Sequence, residues 1–332
     1  MKYLLIPPSG PRRLPFYLAV EEWAARTLPP DDYFFAWRVA PTVICGRNQD
    51  MEREVDLDFC RRQGIDVVRR RSGGGAVLAD MDNLMFSYIT PGDEITATFS
   101  RYTTLIASML RSLGIRAEAT GRNDIVVDSR KVAGNAFYHL PGRCIVHGTM
   151  LIDFNPALMA AALTPSRAKM ESKAVVSVPS RVTGLRAEGL AMTPQELADY
   201  ARRTLCEGEY RLTATDIAEV ERIEQAYYSP AFLRGRHAAE RKARPQTAVR
   251  IEGVGEFTAN LTTDASGRIS AVNLSGDFFV TGDLHSNITA HLIGVRPSPD
   301  TLAEALRAST PGKAVPGLTR EHVLQILTPS IP

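Results

Sequence analysis

Residues 121–136 read Gly121-Arg122-Asn123-Asp124-Ile125-Val126-Val127-Asp128-Ser129-Arg130-Lys131-Val132-Ala133-Gly134-Asn135-Ala136. A polar cluster enters an apolar run rich in β-branched residues. A tight turn follows, and a new run begins at Lys131. Together with residues 137–152, this stretch predicts three adjacent strands, Ile125–Asp128, Val132–His139 and Cys144–Ile152, joined by hairpins. Neighbouring strands joined this way give a mixed α+β fold, not a doubly wound parallel sheet.

Upstream, Lys2–Ile6, Tyr33–Arg38, Thr42–Cys45, Val67–Arg71 and Leu84–Thr90 read as strands. Leu14–Leu28 reads as a helix with Phe16, Leu18, Ala19 and Trp23 on its apolar face, stopped by Pro29-Pro30. Leu57–Gln63 and Phe99–Leu113 read as helices closed by Gly64 and Gly114. Downstream, Pro156–Leu163, Pro194–Leu205 and Thr215–Tyr227 read as helices, with Thr193 as an N-cap. Leu163–Gly189 has weak periodicity and reads as a loop. Ser229–Gln246, with Arg234, Arg236, Arg241, Lys242 and Arg244, reads as a basic linker. A smaller unit follows, with strands Thr247–Glu252, Glu256–Thr263 and Ile269–Ser275 and helices near Thr301–Ala308 and Arg320–Leu327. The expected division is therefore a large domain over 1–245, including linker 229–245, and a small α+β domain over 246–332.

The 332 residues suffice for two domains at roughly 100–200 residues each. Apolar residues are 44% and charged ones 23%, so a buried core is expected. A net charge of +2 excludes a basic nucleic-acid coat and an acidic tail as the main theme. No apolar run is long enough to span a membrane, and Pro7-Pro8 ends the short one at the N-terminus. Four cysteines, Cys45, Cys60, Cys144 and Cys206, are scattered without a C-x-x-C pair, which argues against a disulfide scaffold or zinc site. Free thiols suit a reducing compartment, and the expected location is the cytoplasm.

Four segments carry chemistry. Arg69-Arg70-Arg71 precedes Ser72-Gly73-Gly74-Gly75, whose N–H groups can form an anion-binding concavity; a plain glycine-rich turn is the alternative. It is neither a Walker A loop nor a dinucleotide fingerprint. In the opening stretch, Asn123 and Asp124 are oxygen ligands of the kind Mg2+ accepts beside phosphates. Lys131, one of only six lysines, could set its ammonium between a phosphate and a carboxylate. Gly134 inside a strand signals close approach of a ligand or another backbone. The alternative is a hairpin with an exposed lysine. His147-Gly148-Thr149 offers a histidine on a strand, but Cys144, three positions earlier, points to the opposite face and cannot form a nucleophilic pair with it. The loop with Lys169, Lys173, Ser180 and Arg181 reads either as a lid over an anion or as a solvated linker.

Taken in order, these segments resemble the lipoate–protein ligase A family. The matching runs are Arg70–Val77, Gly121–Asp124, Arg130–Asn135, His147–Thr149, Ser180–Thr183 and Gly276–Phe279. The resemblance implies a large domain shared with biotin ligases and class II aminoacyl-tRNA synthetases, and a small C-terminal accessory domain. It implies two steps, in which lipoate attacks ATP to give lipoyl-AMP and pyrophosphate, then a carrier lysine displaces AMP. It implies Lys131 as the catalytic residue. Arg70, Gly75, Ala76, Val77, Leu78, Asn123, Asp124, Lys131 and Arg181 would take ATP and the adenylate, with Mg2+ on Asp124. Lipoate would meet Arg70, Ser72, Gly73, Gly74, Gly75, Lys131, Gly134, His147, Gly148 and Thr149, with His147 a wall or supporting residue and not a base. The implied acceptors are lipoyl domains of 2-oxoacid dehydrogenase E2 subunits and glycine cleavage H protein. A monomer is implied, and the small domain is expected to rotate when the adenylate forms.

One departure stands out. Many members have His-Asp where this chain has Ala79-Asp80, and Gly where it has Asp82, which puts in doubt any imidazole contact to the adenylate. The rival readings are an ATP-independent octanoyl or lipoyl transferase, which lacks its cysteine here, a silent lipoate or nucleotide sensor, and a biotin ligase.

Overall fold

The computed structural model describes residues 1–7, 12–120, 123–163, 182–235 and 247–331. Its strands are β1 (Lys2–Leu5), β2 (Tyr33–Trp37), β3 (Thr42–Cys45), β4 (Asp66–Arg69), β5 (Val77–Ala79), β6 (Asn83–Pro91) and β7 (Ala117–Ala119). They continue as β8 (Asp124–Val127), β9 (Arg130–Leu140), β10 (Arg143–Leu151), β11 (Gly208–Arg211), β12 (Val249–Ile251), β13 (Gly255–Thr263) and β14 (Ile269–Asp277). The helices bearing on the site are α1 (Leu14–Thr27), α2 (Met51–Glu54), α3 (Leu57–Gln63), α4 (Ile95–Ser112), α5 (Pro156–Ala162), α6 (Pro194–Leu205) and α7 (Ala214–Glu224).

Period-two alternation builds the main sheet. On β6, Leu84, Phe86 and Tyr88 face one core, with Phe99, Tyr102, Ile106 and Leu110 of α4 and Leu197 and Ala201 of α6. Met85 and Ile89 face a second core, with Phe16, Leu18 and Trp23 of α1 and Val220 of α7. The sheet runs β11-β1-β2-β6-β10-β9-β8-β7. β1 is parallel to both its neighbours; the other pairs are antiparallel. This is the expected mixed α+β class, with the three predicted strands adjacent as β8, β9 and β10. Cys144 lies in the α4 core, while His147 contacts α1, so the two point to opposite faces.

A second, three-stranded sheet, β4-β3-β5, carries the glycine loop between β4 and β5. The third sheet, β12-β13-β14, packs with the helices Pro299–Ala305 and Arg320–Leu327 around its own core of Phe257, Phe278, Leu302 and Val323. The short strands β5, β7 and β11 were not expected from the sequence. Each has three or four residues and is defined by its partner strand, not by its own pattern. α4 starts at Ile95 instead of Phe99, because Ile95 and Thr98 are buried. The linker expected from Ser229 opens with a short helix, Pro230–Arg234. The expected boundary at 245/246 lies outside the described residues.

Candidate active site

The β8–β9 turn places the lysine. Asp128 and Ser129 both have positive φ, 47° and 64°, the hairpin geometry whose twist suits antiparallel strands. A register shift after Ile125 pairs Val126 with Lys131 and Asp124 with Gly134. The Lys131 side chain then lies back over Gly134, and its Nζ sits 2.7 Å from Asp124 Oδ1. A Cβ on Gly134 would fall 2.6 Å from Nζ. The atoms that approach this glycine are those of the Lys131 side chain, not the ligand or second backbone expected from the sequence. Asn135 donates from its backbone and its side chain to the Asn123 carbonyl, at 2.9 and 3.0 Å, fixing the entry to β8. Thr183 N–H donates to the Lys131 carbonyl, so the chain at Thr183 runs beside this lysine.

The glycine loop is held from inside. Arg70 is buried and donates from Nε to Ser72 Oγ, from Nη1 to Ile44 O and from Nη2 to Gly73 O and Gly75 O, at 2.6–2.9 Å. Burial lowers its pKa from 12.5 to about 10. Arg70, expected to take phosphates, lines the cavity, and its fork also braces carbonyls of the loop and of Ile44 on β3. Of the three successive glycines only Gly74 needs the left-handed region, at φ +87°. Gly73 is small for a different reason, since its Cβ would meet Phe278 O at 2.3 Å. The C-terminal unit comes in at this point. Gly74 N–H donates to Phe278 O at 3.1 Å, Gly276 N–H donates to Asn48 O at 2.9 Å, and the Phe279 ring stacks on Phe137 at 5.3 Å.

One cavity of about 280 Å3 joins these parts. Arg70, Gly74, Gly75, Ala76, Val77, Asn123, Lys131, Gly134, His147, Gly148 and Thr149 all line it. Ser72, Gly73, Leu78 and Asp124 do not, although Asp124 reaches it through Lys131 and Ser72 through Arg70. Leu78 packs its side chain into a core with Val43 and Cys60. Arg181, Lys169, Lys173, Ser180, Gly121 and Arg122 lie outside the described residues. The apolar walls that no motif marks are Leu14, Leu18, Trp37, Ile44 and Met85. Ala79 is not on the wall. It is fully buried in the α1 core, so a histidine there would need new space.

In the wall, His147 Nε2 is 2.7 Å from Ser72 Oγ, and its Nδ1 is 2.9 Å from Glu21 Oε2. Glu21 was missed in the sequence because a glutamate in an amphipathic helix reads as solvated. Its spacing from Leu14 and Leu18, seven and three residues back on α1, is the signal that could have found it.

The lipoyl protein ligase A/B catalytic domain matches residues 14–205, and the bacterial lipoate protein ligase C-terminus matches 243–327. Lipoate-protein ligase LplJ of Bacillus subtilis is 32% identical over 330 residues, covering 93% of this chain and 95% of that one. The chain belongs to the lipoate–protein ligase family. It is an enzyme that joins lipoate to protein. Its fold is that of Plasmodium falciparum LipL1 solved in complex with lipoate, with a TM-score of 0.72 at 19% identity over 98% of this chain and 97% of that one. A bipartite lipoate protein ligase of Thermoplasma acidophilum, studied with its E2 lipoyl domain, has a TM-score of 0.61 at 25% identity over 70% of this chain and 96% of that one. No helix among the described residues is long and apolar enough to cross a membrane.

Proposed function

We propose that the chain activates lipoate with ATP and passes the acyl group to a lysine of a lipoyl domain, with Lys131 as the catalytic residue. The observation that carries this is a single cavity with Lys131 and the glycine loop on some walls and Leu14, Leu18, Trp37 and Met85 on others. An acid with an apolar chain and a charged head needs such a division. A carboxylate oxygen attacks the α-phosphorus, the bond to the bridging oxygen breaks, and pyrophosphate leaves. The acceptor amine then attacks the acyl carbon, AMP leaves, and the amine gives up a proton. Two anions must be brought together in the first step, and the Lys131 ammonium would neutralise both. The loop N–H groups of Gly75, Ala76 and Val77 would hold phosphates.

Asp124 would hold Mg2+ once substrate phosphates draw the Lys131 ammonium from its Oδ1, 2.7 Å away. A single carboxylate, with Asn123 beside it, suits an ion held mainly by substrate phosphates, and when bound it would offset their charge. The small domain, taken as 246–332, would rotate as the adenylate forms, a movement that has to break the Gly74 N–H bond to the Phe278 carbonyl. The acceptors would be lipoyl domains of 2-oxoacid dehydrogenase E2 subunits and glycine cleavage H protein, with the chain a cytoplasmic monomer that acts on neither nucleic acid nor membrane. Among the described residues no cysteine lines the cavity, which disfavours the thioester transferase.

The test is pyrophosphate release with ATP, Mg2+ and lipoate, with octanoate and biotin run alongside. Lipoate-dependent release that Lys131→Ala abolishes is expected. Release that survives in Lys131→Ala refutes the role given to that residue, and no release from the native chain refutes activation by ATP.

A further inference from the structure

Glu21 is completely buried in the middle of α1. A carboxylate in such a place is costly unless its lone pairs are met. Ser87 Oγ is 2.5 Å from Oε1, and His147 Nδ1 is 3.0 and 2.9 Å from Oε1 and Oε2. Ser87 and His147 are direct cross-strand partners on β6 and β10, so one carboxylate spans both. The contacts continue outward on both sides. Trp37 Nε1 donates to Ser87 Oγ at 2.9 Å. His147 Nε2 is 2.7 Å from Ser72 Oγ, which accepts from Arg70 Nε at 2.9 Å.

For a carboxylate facing a neutral imidazole, the ring proton of His147 belongs on Nδ1. Nε2 is then an acceptor, and the Ser72 hydroxyl must donate to it. Ser72 therefore meets Arg70 with a lone pair, the only group a guanidinium N–H can use. Ser87 donates to Glu21 and meets the Trp37 N–H with its own lone pair. One charge at Glu21 orders donors along the whole row, from the α1 face to the glycine loop.

We propose that Glu21 is a positioning residue for adenylate formation. Acting through His147 and Ser72, it fixes the acceptor that Arg70 Nε meets, and Arg70 holds the Gly73 and Gly75 carbonyls that shape the loop. Glu21 does not touch the reacting atoms. The Ser72–His147–Glu21 spacing is also that of a nucleophilic triad, but Ser72 is 1% exposed and off the cavity wall, and its Oγ already holds the Arg70 N–H. No acyl carbon reaches it.

Glu21→Gln tests the proposal with no change of shape. Ser87 accepts from Trp37 and donates to Oε1, so the amide oxygen takes that place and the amide N–H2 takes the place of Oε2, against His147 Nδ1. The ring proton then moves to Nε2, the Ser72 hydroxyl turns away, and Ser72 Oγ has to accept from Nε2–H and Arg70 Nε–H together, while the Ile44, Gly73 and Gly75 carbonyls still hold the other Arg70 donors. Long-range proton–nitrogen NMR of the native chain is expected to show His147 protonated at Nδ1 and bare at Nε2, and the variant the reverse, with a shifted Arg70 Nε–H signal. With lipoate saturating, kcat/KM for ATP in pyrophosphate release is expected to fall roughly ten- to hundredfold at nearly unchanged melting temperature, the effect of one mispaired buried group.

A proton on Nε2 in the native chain overturns the proposal, and that measurement needs no variant to fold. So does a variant whose tautomer switches while kcat/KM for ATP stays at the native value, or one that loses only thermal stability. The kinetic arm rests on the ligase reading. If the native chain releases no pyrophosphate, that reading fails, while the relay still stands or falls on the His147 and Arg70 signals.

Discussion

Gly134→Ala isolates the placement of Lys131 from its presence. Gly134 has no left-handed φ, so alanine strains no backbone and, in a strand, costs little or helps. The added carbon would lie 2.6 Å from Lys131 Nζ and 2.7 Å from Cε, where ordinary contact begins at 3.4 Å. The ammonium must retreat by about 0.8 Å. If it retreats along the pair axis, the 2.7 Å contact with Asp124 lengthens to about 3.5 Å. At an effective dielectric of about 20 this loses about 1.4 kcal/mol of attraction. Both side chains are about a third exposed, so screening reduces that to about 1 kcal/mol or less. The larger effect is catalytic. A displacement of about 1 Å at a group that must meet two anions lowers the rate by about 100-fold. Expected, therefore, are a melting curve close to native and pyrophosphate release reduced roughly 10- to 100-fold, with Lys131→Ala lower still. Native turnover by Gly134→Ala would refute the claim that Lys131 acts from this position. A collapse of the melting temperature would refute the claim that Gly134 serves the lysine and not the strand.

Three further outcomes rest on the same geometry. Ser72→Ala leaves Arg70 Nε and His147 Nε2 buried without a partner; urea unfolding should show a loss of about 1–3 kcal/mol or more, and native stability would contradict the hydrogen bonds described. Gly73→Ala drives its Cβ against the Phe278 carbonyl; hydrogen exchange at the Gly74 amide should quicken, and an unchanged rate would show that Phe278 does not cap that N–H. Burial pushes the Cys45 thiol up to about 12 and Cys206 up to about 11, so about one thiol in a thousand or fewer is ionised at pH 8. Iodoacetamide should leave lipoate activation intact. Inactivation that lipoate prevents would instead revive the thioester transferase.

Much of the site was legible because its chemistry rests on residues whose types are locally constrained. A Gly triplet after three arginines, a lysine opening a strand and a glycine three residues later each carry their reason within a few positions. The hairpins of β8, β9 and β10 were legible because turn residues and β-branched runs set them locally. Arg70 shows where this stops. Its type and place were legible, but not that its donors turn inward, because the acceptors include the carbonyl of Ile44 on a neighbouring strand. Ala79 was legible as a departure from the family, but not as a core residue away from the cavity.

The sequence by itself determined the family, the α+β class, the main strand order around Lys131 and the order of the chemical motifs. These rest on local pattern and on residues whose spacing along the chain is their signal. Only the tertiary structure decided which groups complete the site. Glu21 reaches His147 across 126 positions and Ser87 across 66, and Trp37 meets Ser87 across 50. The Phe278 carbonyl comes to Gly74 from the far end of the chain. A glutamate, a serine and a backbone carbonyl carry no mark of their destination in sequence. Burial alone, which strips their water and obliges each to find a partner, gives them their roles.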